Sequence, residues 1–342
     1  YSIFTEKGRG LLKENGLLSF IFSNSWLGTD SFSKFRKFLV EENSVLKLVE
    51  LPAGVFEDAI VTAVIIVLSN SRRDNNKIEL YKYFDNKFIK MKHNLSYERI
   101  KRSESFTFSF EPEINFKSDT INLNKIVKFS LGIKTSNDKR FILDYKKDSD
   151  CYPVLRGKDI QKYYSGVSKK WIWYKPKLMM EKTGAGPRHL EYFLKPKIFI
   201  QDVAKSIIAC FDDDNNLSTD TLSLIYEIDS EFNFKYILTL LNSNFVNKWF
   251  KNNFPDGLHI KINQLKQIPI PNISLSEQKP FIEKADLMLN LNKEFYDKKN
   301  KFFNRIKKSF SLEKLNKKID SFYESEFNDF VKEIEKLSKK KT

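Results

Sequence analysis

A chain of 342 residues with 41% hydrophobic side chains has room for two or three domains, each with its own core. Lysine and arginine number 59 against 44 aspartate and glutamate, a net charge of +15; this favours polyanionic partners, through phosphate neutralisation and counterion release, with an anionic membrane surface or the lysine-rich composition of an AT-rich genome as the alternatives. Two cysteines (Cys151, Cys210) and three histidines (His93, His189, His259) are too scattered for a structural zinc site, and no apolar run reaches the length of a membrane span.

Residues 2–14 read as a helix stopped at Asn15-Gly16, followed by a buried strand over 17–22. Phe32, Phe35, Phe38 and Leu39 recur at helical spacing within 30–42. Strands follow at 46–51 and 61–68. Their link carries Phe56 at its tip and is too short for a crossover helix, so the two pair antiparallel. Helix, strand, helix, strand, strand is the second half of a doubly wound α/β sheet. A further hairpin spans 78–84 and 88–90 around Asp85-Asn86. The first domain is bounded at 1–95, and the polar, weakly periodic stretch 96–125 reads as a linker with a helical turn or two.

The second domain, 126–273, is mixed α/β. Its short strands fall at 139–143, 170–174 and 197–201, and one helix over 234–251 turns Ile237, Leu240, Leu241, Val246 and Phe250 toward a core. Ile268-Pro269-Ile270-Pro271 ends it, because proline continues neither a helix nor a central strand. The tail, 274–342, is helical, opening with Ser274 and Glu277 as a capping box. Over 291–342 it holds 15 lysines and arginines against 9 acids, with an apolar stripe through Phe295, Phe302, Phe303, Ile306 and Phe310. That pattern is an amphipathic helix packed on a neighbour with its basic face in water.

The run Leu11-Leu12-Lys13-Glu14-Asn15-Gly16-Leu17-Leu18-Ser19-Phe20-Ile21, with Ser23-Asn24-Ser25-Trp26-Leu27, resembles the segment after the catalytic motif in adenine-N6 DNA methyltransferases of the TaqI type. Asn15 stands where the family has its first glycine, and Ser23 where it has proline. The Phe56 loop and the strand after it match the family's base-stacking motif. Downstream, Leu131-Gly132-Ile133-Lys134-Thr135-Ser136-Asn137-Asp138 and Tyr152-Pro153-Val154-Leu155-Arg156-Gly157-Lys158-Asp159-Ile160 are similar to elements of its target-recognition domain. Lys195-Pro196-Lys197-Ile198, Leu241-Asn242-Ser243 and Ile268-Pro269-Ile270-Pro271 follow in the family's order. Each element is short; the ordered series, over roughly residues 1–275, carries the resemblance.

The resemblance implies a fold: the C-terminal half of a class I methyltransferase sheet, a mixed α/β target-recognition domain and a helical tail. The family's Asn/Asp-Pro-Pro-Tyr tetrapeptide is absent, as is its glycine-rich cofactor loop; Gly184-Ala185-Gly186, the only candidate, follows no buried strand and reads as a surface loop. With Tyr1 in place of an initiator methionine, the chain reads as a C-terminal piece of a methyltransferase, fused in its single-chain form to an endonuclease. The resemblance then implies double-stranded DNA and the missing N-terminal portion as partners, S-adenosylmethionine for the parent, and Mg²⁺ if the parent cleaves; the low cysteine count suits a reducing, cytoplasmic location, and the lack of a spanning apolar run predicts no membrane. No catalytic residue, cofactor site or metal site is expected in this stretch. The alternative is a non-catalytic DNA specificity subunit of a multi-subunit restriction–modification system.

Phe56 is the candidate for stacking on an extruded adenine, since an aromatic face offsets part of the unstacking cost; the structural alternative is a ring closing the sheet core. Lys134, Lys139, Arg140, Arg156 and Lys158 are the candidate DNA contacts, with Gly132 and Gly157 letting backbone approach a phosphate. The structural alternative is solvated lysines and an Arg156–Asp159 pair holding the loop. Pro255-Asp256 with Glu277-Gln278-Lys279 has the letters of a nuclease metal site, but Glu277 sits at a helix start and serves the cap. His189 and His259 lack neighbours in sequence for base catalysis, and Cys151 and Cys210 read as small core residues.

Overall fold

Alternating and continuous apolar runs build a five-stranded sheet from the first hundred residues. The computed structural model describes residues 1–56, 62–72, 76–103, 105–114, 116, 118–254, 259–312 and 314–339. Helix α1 (Ser2–Gly10) ends earlier than Asn15-Gly16, and strand β1 (Leu17–Ser23) follows. Then come α2 (Ser33–Glu42), β2 (Ser44–Leu51), β3 (Ala63–Ser69), β4 (Lys77–Phe84) and β5 (Lys87–Ser96). The spatial order is β1-β3-β2-β4-β5. Strand β3 lies antiparallel between β1 and β2, as expected from the short link, so β1, β2 and β4 run the same way. Asp85 and Asn86 both take left-handed backbone (φ 49° and 56°), which is the two-residue turn that matches hairpin twist.

The core on this sheet centres on Trp26, which meets Phe35 and Phe108 edge-on. Arg36 is fully buried beside it. Its guanidinium donates to the carbonyls of Trp26, Thr29 and Ser105, each at 2.8 Å. The stretch expected as a linker is therefore anchored. Helix α3 (Tyr97–Arg102) packs Tyr97 and Ile100 inward, Phe108 N–H donates to Leu27 O at 2.9 Å, and Phe108 and Phe110 lie in the core. Polar composition hid this because two aromatic rings spaced two apart suffice to bury an extended segment.

Past β6 (Thr120–Asn122) and β7 (Val127–Leu131), the expected strand at 139–143 is instead a helical turn, α4 (Asp138–Phe141), leading into β8 (Ile142–Leu143). Asn137 caps that turn through its side chain, a local bond that outcompetes the extended form. Next come β9 (Cys151–Leu155), β10 (Trp171–Trp173), α5 (Pro176–Met179), β11 (Lys197–Gln201), β12 (Ala209–Asp212), β13 (Leu217–Ser218) and β14 (Leu222–Ile228). Two four-stranded sheets result, β13-β9-β10-β8 and β12-β11-β14-β7, around a shared core that includes Val154, Ile172, Phe199 and Leu224.

The expected single helix over 234–251 is two, α6 (Phe234–Asn242) and α7 (Asn244–Asn253). Ser243 is extended between them, and its hydroxyl accepts from Val246 N–H at 3.1 Å. The break lets Asn242 bond both the N–H and the C=O of Ala209, and Asn247 accept from Ile207 N–H at 2.6 Å, so the two helices are stitched to the β11–β12 hairpin. Helix α8 (Ile262–Leu265) precedes β15 (Pro269–Pro271), which among the described residues pairs only with β6, the edge position that proline permits.

The chain divides into a unit of Tyr1–Gln278 and a unit of Lys279–Thr342. Helix α9 (Leu275–Ser309) starts on the expected capping box: Glu277 accepts from Ser274 N–H at 2.9 Å, and Ser274 Oγ accepts from Glu277 N–H. In the second unit, α9 is followed by α10 (Lys317–Asp320) and α11 (Phe327–Lys339). Phe302 meets Phe322 and Phe330, and the nearly buried Lys299 pairs with Asp320 at 3.1 Å among the rings of Tyr296, Phe303 and Tyr323. No described helix is long and apolar enough to cross a membrane.

Candidate nucleic-acid interface

The polar run Ser218-Thr219-Asp220-Thr221 is where the loops of the two sheets meet. Ile133 N–H donates to Ser218 O at 2.7 Å, and Asp220 N–H to Ile133 O at 3.0 Å, fastening the loop after β7. Thr219 N–H donates to Leu155 O, and Gly157 N–H to Thr221 Oγ1 at 2.9 Å, fastening the loop after β9. Asp202 N–H donates to Thr221 O, adding the end of β11. Lys134 exchanges two backbone bonds with Gly186, so the glycine-rich loop 184–186 is part of the same cluster. It follows no strand.

Into this cluster the structure brings three of the expected contacts. Lys134 and Lys158 are exposed, and Arg156 is half-buried. Asp159 does hold the loop, but through the backbone N–H of Arg156 (2.9 Å) and not through its guanidinium. The guanidinium has no acidic partner among the described residues, and its Nε is buried without a hydrogen-bond partner. Arg140 is differently placed: it pairs with Glu181 at 3.1 Å and lies over the Phe141 ring, while Lys139 is exposed on the same helical turn. Burial holds the Asp220 carboxyl above the usual carboxylate range against the opposing charge of Lys134.

The glycines have a packing reason of their own. A Cβ on Gly132 would lie 2.0 Å from Thr219 O, and one on Gly157 3.2 Å from Thr221 O. Backbone from the hub demands the small residue at 132.

Sequence reasoning missed Asp202 and the threonines of the hub, and it set His259 aside. His259 bonds Asp202 Oδ2 at 3.0 Å, and Ile260 N–H donates to Asp202 O. Two residues on, Lys261 pairs with Asp30 at 2.6 Å. That pair crosses a cleft of 650 Å³ between the end of the first sheet (Gly28, Thr29, Asp30) and the segment of His259, Lys261 and Asn263. Asn24 N–H bonds Thr62 O at this same sheet end, from which residues 52–56 project. Phe56 is 40% exposed there and takes no part in the sheet core. Residues 57–61, and Pro255-Asp256 of the rejected metal motif, lie outside the described residues. Among those described, no group of three or more His, Cys, Asp or Glu is placed to hold a metal ion.

The class of protein follows from these loops and from the matches to them. Residues 152–270 match a TaqI-like C-terminal specificity domain, and residues 1–56 match the Eco57I restriction-modification methylases. Residues 274–342 match a family described as a domain of unknown function. The chain thus carries a TaqI-like specificity domain of the restriction–modification class. A Methanocaldococcus jannaschii protein named as a type II restriction enzyme and methyltransferase is 24% identical over 318 residues, 85% of this chain and 26% of that protein. Among solved structures, the type IIL restriction-modification enzyme MmeI, in complex with DNA, aligns at TM-score 0.47 and 12% identity over 99% of this chain and 47% of its own. The type IIG restriction endonuclease BpuSI aligns at 0.39 and 15%, over 83% and 44%. The chain spans about a quarter of the length of the curated relative.

Proposed function

We propose that this chain reads duplex DNA for an adenine-N6 methyltransferase of a single-chain type II restriction–modification enzyme. One observation carries the reading: three loops are fastened to residues 218–221 and present Lys134, Arg156 and Lys158, none of them in an ion pair among the described residues, and the Asp202–His259 bond joins this hub to a cleft that reaches Gly28, Thr29 and Asp30 after the first sheet's β1. Loops held by a rigid pair of sheets can place side chains against base edges, and a free guanidinium suits a bidentate grip on guanine. The methylase match over 1–56 favours this over a stand-alone specificity subunit, which has no need of a methyltransferase sheet.

In this reading Phe56 stacks on the adenine drawn from the duplex, and the strand edge of β1 pairs with further sheet from the rest of the enzyme. S-adenosylmethionine, and Mg²⁺ for cleavage, belong to that rest. The buried free thiols of Cys151 and Cys210 suit a reducing cytoplasm.

The test is selection from random duplexes with the full chain. An enriched motif is expected, and Arg156→Ala should relax one position of it, costing about 1–3 kcal/mol there. If no motif is enriched by the unaltered chain, sequence-specific reading is wrong. For Phe56, 2-aminopurine at the target position of the complete enzyme's site should fluoresce differently in Phe56→Ala; identical signals would remove the stacking role.

A further inference from the structure

Beside the recognition loops, the β11–β12 turn and helix α7 enclose a second cavity, of 950 Å³. Lys205 stands on the turn. Lys248 and Lys251 lie on α7 three residues apart, and therefore on one face. All three are exposed, and none has an ion-pair partner among the described residues; among those residues Glu111 is the one acid that lines the cavity. Lys162 sits close behind. Its ammonium donates to Asn242 O at 3.0 Å, and burial together with the charge of Lys251 lowers its proton affinity. Like charges held this near one another repel, and Glu111, one acid against three lysines among the described lining residues, does not offset them. An external polyanion would.

The turn also fixes where this cavity lies. Its first residues, Asp202 and Val203, bond His259 and Ile260 and meet the 218–221 hub, and Lys205 follows two residues later. We infer that Lys205, Lys248 and Lys251 form a track for the phosphate backbone of DNA that leaves the recognition loops. This rests on the DNA reading above and adds to it a set of contacts that position the duplex without reading its sequence. Lysine suits the task, as a mobile point charge on an open groove, where a base edge would call for a planar fork.

The experiment follows binding of the full chain to a mixed-sequence duplex as salt rises from about 50 to 200 mM. Substituting K205Q, K248Q and K251Q together should lower the slope of log affinity against log salt by about 2–3, near 0.9 for each phosphate no longer neutralised. Affinity for the selected motif should fall by the same factor as affinity for unrelated duplexes, and the matching triple arginine variant should keep the original slope. Thermal melting checks that the variants fold. If the unaltered chain binds while the glutamine variant keeps both slope and affinity, the track is wrong and the DNA reading stands. If the variant loses only motif preference, the lysines read bases and the track is equally wrong. A wild-type chain with no salt-dependent duplex binding removes the DNA reading and the track together.

Discussion

A methyl group at position 132 would sit 2.0 Å from the carbonyl oxygen of Thr219, so the loop after β7 can follow its path only with glycine there. Gly132→Ala should therefore cost about 1–3 kcal/mol through displaced backbone, seen as a lower urea midpoint. Gly10, with nothing within 4 Å of its Cβ direction, should tolerate alanine within about 0.5 kcal/mol. Equal effects at the two positions would contradict this account. Lys197 offers a sharper case. It is fully buried, bonds Asp212 at 2.6 Å and Phe193 O at 2.6 Å, and burial lowers its proton affinity against the pull of Asp212. Lys197→Met leaves a buried carboxylate with Asn216 as its remaining described partner, and should cost about 3–5 kcal/mol in denaturant unfolding. The resemblance to Lys195-Pro196-Lys197-Ile198 pointed at this residue without saying why; the reason is an internal ion pair.

At the level of elements, ends and breaks are set by short polar side chains. Ser243 separates α6 from α7, and Ser243→Ala should cost about 1 kcal/mol by removing the bond to Val246 N–H. The start of α9 carries a pH dependence. Hydrogen bonds from the Ser274 hydroxyl and N–H hold the Glu277 carboxyl below its ordinary range. A carboxylate lowered in the folded state lends stability that is present above the ordinary glutamate pKa and lost as pH falls through the folded value. Helicity followed by far-ultraviolet circular dichroism should thus decline on acidification, and Glu277→Gln should flatten that part of the decline. An unchanged acid limb in the variant would remove the cap from the explanation.

For the molecule as a whole, the outer edge of β1 is the exposed feature. Strand β1 pairs with β3 on one side and with no described strand on the other; Leu17 and Ile21 are exposed on it, and Ile3, Phe4 and Leu11 are exposed on and just after α1. An apolar, unpaired strand edge seeks a partner. The isolated chain should associate as its concentration rises, and Ile21→Lys should suppress this in sedimentation velocity without lowering the melting temperature. A chain that stays monomeric at all concentrations would mean the edge needs no partner.

Local pattern sufficed for much of this protein. The apolar runs at 17–22, 46–51 and 61–68 place three strands of the first sheet, and the short link between the last two dictates their antiparallel pairing. Asp85-Asn86 makes the hairpin turn, and Ser274 with Glu277 starts the last long helix. These depend on neighbours a few residues away, which is the range over which side-chain spacing and capping act. Motif order also singles out Lys134, Arg156 and Lys158 as candidates. Their assembly on the 218–221 hub could not, nor could the backbone reason for Gly132, the anchoring of the Phe108 segment by Arg36 and Trp26, or the lysines gathered from residues 205, 248 and 251. Each of those rests on contacts between segments far apart in the chain, which no periodicity records, and only packing two sheets and two helices together decided which loops share a face.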